Sequence, residues 1–268
     1  MTSAPSENLR IATWNVNSVR PRLEHLQTVL RDQKIDIALL QETKVEDHAF
    51  PAQPLEDMGY NVAIHGQKSY NGVAILSRFP LEDVQKGLPG QPSDQARFIQ
   101  AWTGGVLVAS IYVPNGDNLN HPVKFPQKRD FFTALDRYLA SLSSFDSLVW
   151  GGDYNVAPSC FDVYDSTLWK SRILCSTDER LWFRRLLARG LSDTLDSRPL
   201  DPDAKNPFTW WDYRTRGFEN GRGLRIDHML VSPPVLQRTQ SIKVYDQTRG
   251  WERPSDHAPV ILELKPTA

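Results

Sequence analysis

Cysteine is almost missing from this chain of 268 residues: only Cys160 and Cys175 occur, with no Cys-x-x-Cys spacing and no Asn-x-Ser/Thr acceptor. That excludes a disulfide framework and a thiolate zinc site, and two reduced thiols in a cytosolic protein are expected. No apolar run approaches the roughly eighteen residues a membrane span needs, and no basic-then-apolar stretch opens the chain. Neither insertion nor secretion is signalled. An excess of one charge is absent too, since 31 Lys+Arg meet 32 Asp+Glu for a net −1 and a pI near 6.6. A general polycation is excluded, so any nucleic-acid surface must be a local patch.

What the chain does have is 40% hydrophobic residues with 8 Trp and 11 Phe, enough for a large packed core. Apolar runs rich in Val, Ile and Leu at 9–14, 35–41, 72–77, 106–113, 147–152, 224–231 and 258–264 read as strands. Helical faces fall between them: Leu23, Leu26, Val29 and Leu30; Phe131, Phe132, Leu135, Tyr138 and Leu139; Leu181, Trp182, Leu186 and Leu187. Pro21 and Asp178 suit helix starts, and Arg189-Gly190 suits a stop. Hairpin spacings at 60–78 and 97–113 imply antiparallel pairs, so the expected fold is a four-layer α/β sandwich, two mainly antiparallel mixed sheets flanked by helices. A single domain over 9–265 follows a loose tail at 1–8, and segments 158–177 and 197–223 read as long surface loops of the kind that carry function.

Ser255-Asp256-His257, just ahead of the apolar run Val260-Ile261-Leu262, is the most informative tripeptide. Alone it could cap a turn. It has companions, each at the end of or inside a short apolar run: Asn15, Glu42, Tyr112, Asp153 with Asn155, and Asp227. Strand ends gathered on one sheet edge are where such proteins collect side chains for chemistry. Glu42 reads either as a helix cap paired with Lys44 or as a ligand for a hard cation. Mg²⁺ takes few carboxylates and keeps waters, which a sparse set such as Asn15, Glu42 and Asp256 suits, whereas zinc would want more His or Cys. Asp153 and Asn155 point to one side of an extended segment; they either close an Asx turn or share the work of activating a water and donating to a phosphoryl oxygen. His257 offers a donor to a phosphate, and Asp227 is placed to fix its tautomer. Tyr112 adds a phenol or is simply a strand-end tyrosine.

Cations and aromatics interleave from Thr209 through Trp210, Trp211, Arg214 and Arg216 to Phe218, and continue to Arg222 and Arg225. This is either a phosphate and stacking track or a buried Trp pair with a solvated rim. Lys124, Lys128 and Arg129 form a second candidate phosphate strip.

Taken together, Trp14-Asn15-Val16-Asn17, Leu40-Gln41-Glu42-Thr43-Lys44, Gly152-Asp153-Tyr154-Asn155, Trp211-Asp212-Tyr213-Arg214, Leu224-Arg225-Ile226-Asp227 and Ser255-Asp256-His257-Ala258-Pro259 resemble the exonuclease III family of the exonuclease/endonuclease/phosphatase superfamily. The resemblance runs from Leu9 to Leu264. It implies a Mg²⁺-dependent phosphodiesterase (Mn²⁺ as substitute) on double-stranded DNA, cutting 5′ of abasic sites, clearing blocked 3′ ends and degrading from 3′ ends. It implies Glu42 and Asn15 at the metal with Asp256 close by, and Asp153, Asn155 and His257 around it. Asp153 would prepare the water; Asn155, Tyr112 and His257 would hold the phosphate, with Asp227 behind the histidine. Asn115, Lys124, Arg214, Arg216 and Arg222 would contact DNA, and Trp210, Leu224 and Ile226 would line an apolar pocket for a flipped-out abasic sugar. A monomer in the cytoplasm is expected.

Two departures from the family pattern stand out: Asn115 where exonuclease III has glutamine, and a bulky Tyr164 where its pattern is small. The second implies a bias toward 3′-end processing, unless Tyr164 merely packs on Trp169. Competing readings are a phosphatase for an inositol phosphate or lipid, and an inactive DNA-binding scaffold, which would need losses at Glu42, Asp153 or His257.

Overall fold

The computed structural model describes residues 8–91, 93–142, 147–196 and 207–267. Residues 1–7 of the expected tail and 197–206 of the expected second loop lie outside the described residues. One six-stranded sheet has the order β13-β14-β1-β2-β4-β3, and a second has the order β5-β6-β7-β8-β12-β9. The first consists of β1 (Leu9–Asn15), β2 (Ile37–Gln41), β3 (Asn61–His65), β4 (Val73–Ser77), β13 (Thr239–Val244) and β14 (Val260–Leu264). The second consists of β5 (Glu82–Lys86), β6 (Phe98–Thr103), β7 (Val106–Tyr112), β8 (Leu148–Asp153), β9 (Ser192–Asp193) and β12 (Asp227–Val231). A short ribbon pairs β10 (Trp210–Trp211) with β11 (Gly223–Leu224). Only β1–β2 and β7–β8 run parallel among the described strand pairs. The expected mainly antiparallel mixed sandwich is what is found.

Alternation along each strand builds the layers. Ile11, Ile37, Leu39, Val73 and Ile75 face Ile99, Val108, Val149 and Met229 in the core between the sheets. Ala12, Trp14, Ala38 and Leu40 face outward to α1 (Leu23–Asp32), whose Leu26, Val29 and Leu30 are buried, and α2 (Gln53–Glu56) packs beside them through Leu55. On the other outer face Ala109, Ile111 and Trp150 meet α3 (Lys124–Ser141) and α4 (Thr177–Ala188). Helix α5 (Pro233–Arg238) closes the return to β13. The sheets approach closely at Gly151, where a Cβ would come within 2.8 Å of Leu39. They are pinned by the buried Gln41 amide, which donates to Ser110 Oγ at 2.9 Å.

The parallel pairs put the carboxyl ends of β1, β2, β7 and β8 at the sheet edge that carries the functional residues. Antiparallel β12 and β14 bring their amino ends there, with Asp227 opposite Asp153 and Val260 opposite Thr13. Among the described residues no helix is long and apolar enough to cross a membrane.

Candidate active site

The residues singled out around Ser255-Asp256-His257 meet at that edge. A cavity of about 150 Å³ is bounded by Glu42, Tyr112, Asp153, Asn155, Asp256 and His257. Its remaining wall is Asn115, Leu174, Trp210 and Ile226. Sharp backbone turns at the strand ends make the convergence possible. Asn17, Glu42, Lys44, Asn155 and Leu174 all have φ between 46° and 71°. Such left-handed residues other than glycine cost about 1–3 kcal/mol each and persist where surrounding bonds hold them.

The hydrogen bonds here tie acid to amide. Asn15 Nδ2 donates to Glu42 Oε1 at 2.9 Å and to Asp153 Oδ2 at 3.0 Å, while its oxygen accepts from the Asn17 amide. Asn15 thus spaces two carboxylates, and its oxygen, accepting one bond, keeps a second lone pair. Tyr112 donates to Glu42 Oε1 at 2.8 Å, and Lys44 lies 2.7 Å from Glu42 Oε2. Asn115 donates to Asn155 Oδ1, and Asn155 donates to the Val113 carbonyl, both at 3.0 Å. Asp256 accepts from Trp210 Nε1 at 3.0 Å and Asn17 Nδ2 at 2.9 Å. His257 Nδ1 meets Asp227 Oδ2 at 2.9 Å, and Nε2 lies 3.8 Å from Asp153 Oδ2. The Asx bond from the Asn155 amide to Asp153 Oδ1 at 2.9 Å is also made, so the turn and the cluster coexist.

Electrostatics at this edge are unbalanced. Burial pushes the Asp153 carboxyl up to about 7, and the nearby Asp227 and Glu42 add to the rise, against the opposing pull of His257. Burial works against charge on His257, but Asp227, and behind it Asp153 and Asp256, outweigh this and raise it to about 10. Glu42 is also buried, yet Lys44 and Asn15 hold its carboxyl below the usual range. Burial keeps the Tyr112 phenol protonated, reinforced by Glu42. Asp153, Asp227 and His257 each offer a ligand atom within 4.8 Å of the others. With Glu42 and Asp256 alongside, oxygen donors outnumber the single imidazole, the donor chemistry of a hard divalent cation.

The DNA-facing expectations are placed unevenly. Trp210 and Ile226 line the cavity, but Leu224 is fully enclosed behind it, bridged to Val163. Arg216 and Arg222 are exposed, and Arg214 is exposed while bonded to Asp212 at 3.1 Å. Lys124 is exposed, 3.5 Å from Asp117. Tyr164 is half-buried, its amide donating to the Gly223 carbonyl, and packs with Trp169 against the Val163–Leu224–Ile226 cluster.

Two expected cations are not on the surface. Lys128 is wholly buried against Glu179, and Arg225 is wholly buried among Asp162, Asp193 and Asp196, so neither can meet a phosphate. Each was read as surface because its acidic partners lie far away in sequence. Leu174 was missed in turn, being a lone leucine in an aperiodic loop. Arg97, whose guanidinium lies 4.5 Å over the Tyr112 ring, and Arg249, which stacks on Trp211, Tyr213 and Phe218, gave no sequence signal either.

Two packed sheets with a carboxylate-held imidazole, acids and amides around one edge cavity define the α/β-sandwich hydrolases that act on phosphoesters. The chain belongs to the Endonuclease/Exonuclease/phosphatase family, whose sequence profile matches residues 12–257. It is 36% identical to exodeoxyribonuclease III of Haemophilus influenzae over 96% of this chain and all of that protein. The 3′ phosphatase NExo from Neisseria, solved with a product DNA hairpin, superposes with TM-score 0.91 at 43% identity, covering 96% of this chain and 99% of that one. An AP endonuclease from Archaeoglobus fulgidus gives TM-score 0.90 at 37% identity over 96% and 99%. The resemblance to exonuclease III read from the sequence is thus borne out.

Proposed function

We propose that this protein is a Mg²⁺-dependent DNA-repair phosphodiesterase of exonuclease III type, in which residues 9–265 form one catalytic domain acting as a cytoplasmic monomer. Its substrates are duplexes with abasic sites or blocked 3′ ends. The observation that carries the reading is the Asp227–His257–Asp153 alignment at the wall of a cavity that Asn155 and Tyr112 also face. The relatives are a 3′ phosphatase, an AP endonuclease and an exodeoxyribonuclease, which share phosphoester cleavage in DNA.

Glu42 and Asp256, with Asp153 near, would hold the ion, which when bound neutralises the phosphate and stabilises the leaving oxygen. Asp153 takes a proton from the attacking water; a carboxyl lifted to about 7 is matched to that task at neutral pH. His257, kept charged by Asp227, donates from Nε2 to a phosphoryl oxygen; Asn155 donates beside it, and the Tyr112 hydroxyl turns from Glu42 to do the same. Asn115 orients Asn155. Arg216, Arg222, Arg214 and Lys124 supply the local cationic patch that the acidic pI requires.

A second reading, specialisation for 3′ ends, is favoured by the presence of Leu174 in so small a cavity and by the 3′-phosphatase activity named for one relative. The test of the main reading is Glu42→Ala. Cleavage of a 3′-phosphate duplex should vanish in Mg²⁺, and the rise in Tm that Mg²⁺ gives the native protein should vanish with it. Full activity of this variant in chelator-treated buffer would overturn the assignment, and turnover of inositol phosphates with no cutting of DNA would move the substrate class.

A further inference from the structure

Lys128 and Glu179 play no part in the chemistry above, yet both side chains have 0% exposure and form a direct ion pair between α3 and the first turn of α4. Removing two charges from water is costly, and their remaining hydrogen bonds show what the pair fixes. Lys128 Nζ also donates to the Asn155 carbonyl at 2.7 Å and the Asn115 carbonyl at 3.1 Å, so all three ammonium protons are used. Glu179 accepts from the Leu174 amide at 2.9 Å, the Ser176 amide at 3.0 Å and Ser176 Oγ at 2.6 Å. Asn115, Asn155 and Leu174 all line the cavity, from segments after β7, after β8 and before α4.

The pair holds these three residues by their backbones, while their side chains form the cavity wall, with Asn115 bonded to Asn155 there. Two of them need holding: Asn155 at φ 51° and Leu174 at φ 71° lie in the left-handed region. Among the described residues the ammonium is what holds the Asn155 carbonyl, while the Asn155 amide keeps its own bond to Asp153. We propose that the Lys128–Glu179 pair is a positioning device for the reaction, one buried ion pair that sets the attitude of the Asn155 and Asn115 amides toward the phosphate and of Leu174 toward the sugar. The proposal rests on the reading that Asn155 faces the scissile phosphate.

A misplacement of about 1 Å at such a group costs up to about 10²-fold in turnover while leaving the DNA track intact. Lys128→Met and Glu179→Gln should therefore lower kcat on a 3′-phosphate duplex by about 10- to 100-fold with KM within about threefold of native, below the unfolding range of each variant. The control is Leu186→Ala, a buried α4 residue in the same layer about two turns beyond Glu179. Its loss of Tm measures what destabilisation alone does to kcat. Should Lys128→Met not fold, Glu179→Gln, which keeps the side-chain size and one of the two acceptor oxygens, is read alone. A kcat in these variants no lower than in Leu186→Ala overturns the proposal. Asn155→Ala is run beside them: if it is slow while Glu179→Gln is fast, the positioning role has failed. If Asn155→Ala itself turns over at the native rate, the reading of the site has failed and this proposal falls with it.

Discussion

Strand β12 separates two buried charge clusters that differ in one respect. Asp227 and His228 are consecutive, so their side chains leave opposite faces of the strand. On one side His228 meets Asp193 at 2.9 Å, and Arg225 bonds Asp162, Asp193 and Asp196. On the other, Asp227 holds His257 beside Asp153. The central acids of both clusters, Asp193 and Asp153, are buried, yet they move in opposite directions. Burial raises Asp193, but Arg225 and His228 outweigh it and hold the acid well below its usual range. Asp153 instead rises to about 7, because burial is joined by two further acids. Burial alone does not separate the two acids; the neighbouring charges do, since Asp193 is matched by a guanidinium and an imidazole while Asp153 has two further acids beside its one imidazole.

The sharpest way to break that contrast is to make the same substitution on each side. Asp153→Asn should lower turnover by about 10²–10⁴-fold, with DNA affinity in chelator kept or improved and Tm kept or raised. Asp193→Asn leaves Arg225 short of a partner and should cost about 3–5 kcal/mol of stability while the folded fraction turns over at the native rate. Steady-state kinetics and thermal melts on both variants decide it. If Asp153→Asn melts as low as Asp193→Asn, or if Asp193→Asn is slow at temperatures where it is folded, the distinction is lost.

The clusters should also answer pH differently in metal-free protein. Asp153 is raised from 3.8 to about 7, so it binds its proton more tightly folded than unfolded; its contribution is full below 3.8 and lost as pH rises to about 7. His257 is raised from 6.5 to about 10, so its contribution is full below 6.5 and lost as pH rises through 10. Asp193 runs the other way: its contribution is present above 3.8 and lost as pH falls below it. Tm in chelator should therefore decline between about pH 5 and pH 9, and Asp153→Asn should flatten the lower half of that decline. An equal decline in Asp153→Asn would place the titrating group elsewhere.

The sequence made the sheet interiors legible because continuous apolar runs have few alternatives to buried strands. Strands β5 and β13 were not foreseen: Glu82–Lys86 and Thr239–Val244 are edge strands, mostly exposed and polar, so they carry no apolar run. In α4 one residue of the expected face is misplaced. Leu186 is buried and Trp182 and Leu187 pack against the core as expected, but Leu181 is exposed and Phe183 is buried in its place, because a run of apolar residues at 181–183 allows two readings. Strand-end polar residues were readable as a set, since each interrupts an apolar run where a core would tolerate none. Lys128 and Arg225 were not, because burial of a cation depends on acids brought in by distant segments.

The smallest effect concerns the loop between Asn155 and α4, where the expected steric bias toward 3′ ends was attached to Tyr164. Its ring fills the space between the Val163–Leu224–Ile226 cluster and the Phe208–Trp211–Ala258 cluster, and it is absent from the cavity wall. Leu174, from the same loop, is on that wall at φ 71°. Leu174→Gly removes an apolar group from the cavity; glycine suits the positive φ, but a buried side chain of the Val163–Leu224–Ile226 cluster is lost, so the variant should lose about 2–5 kcal/mol and is assayed below its unfolding range. An apolar contact of this size discriminates substrates by roughly tenfold, so abasic-site cleavage should rise by about that factor relative to 3′-phosphate removal. Tyr164→Gly should also lower Tm but leave the ratio alone, because its ring supports packing and not the cavity. Both ratios come from one gel with labelled abasic and 3′-phosphate duplexes. A ratio that moves in Tyr164→Gly and stays fixed in Leu174→Gly would return the selectivity to the tyrosine and show that the cavity wall does not choose the substrate.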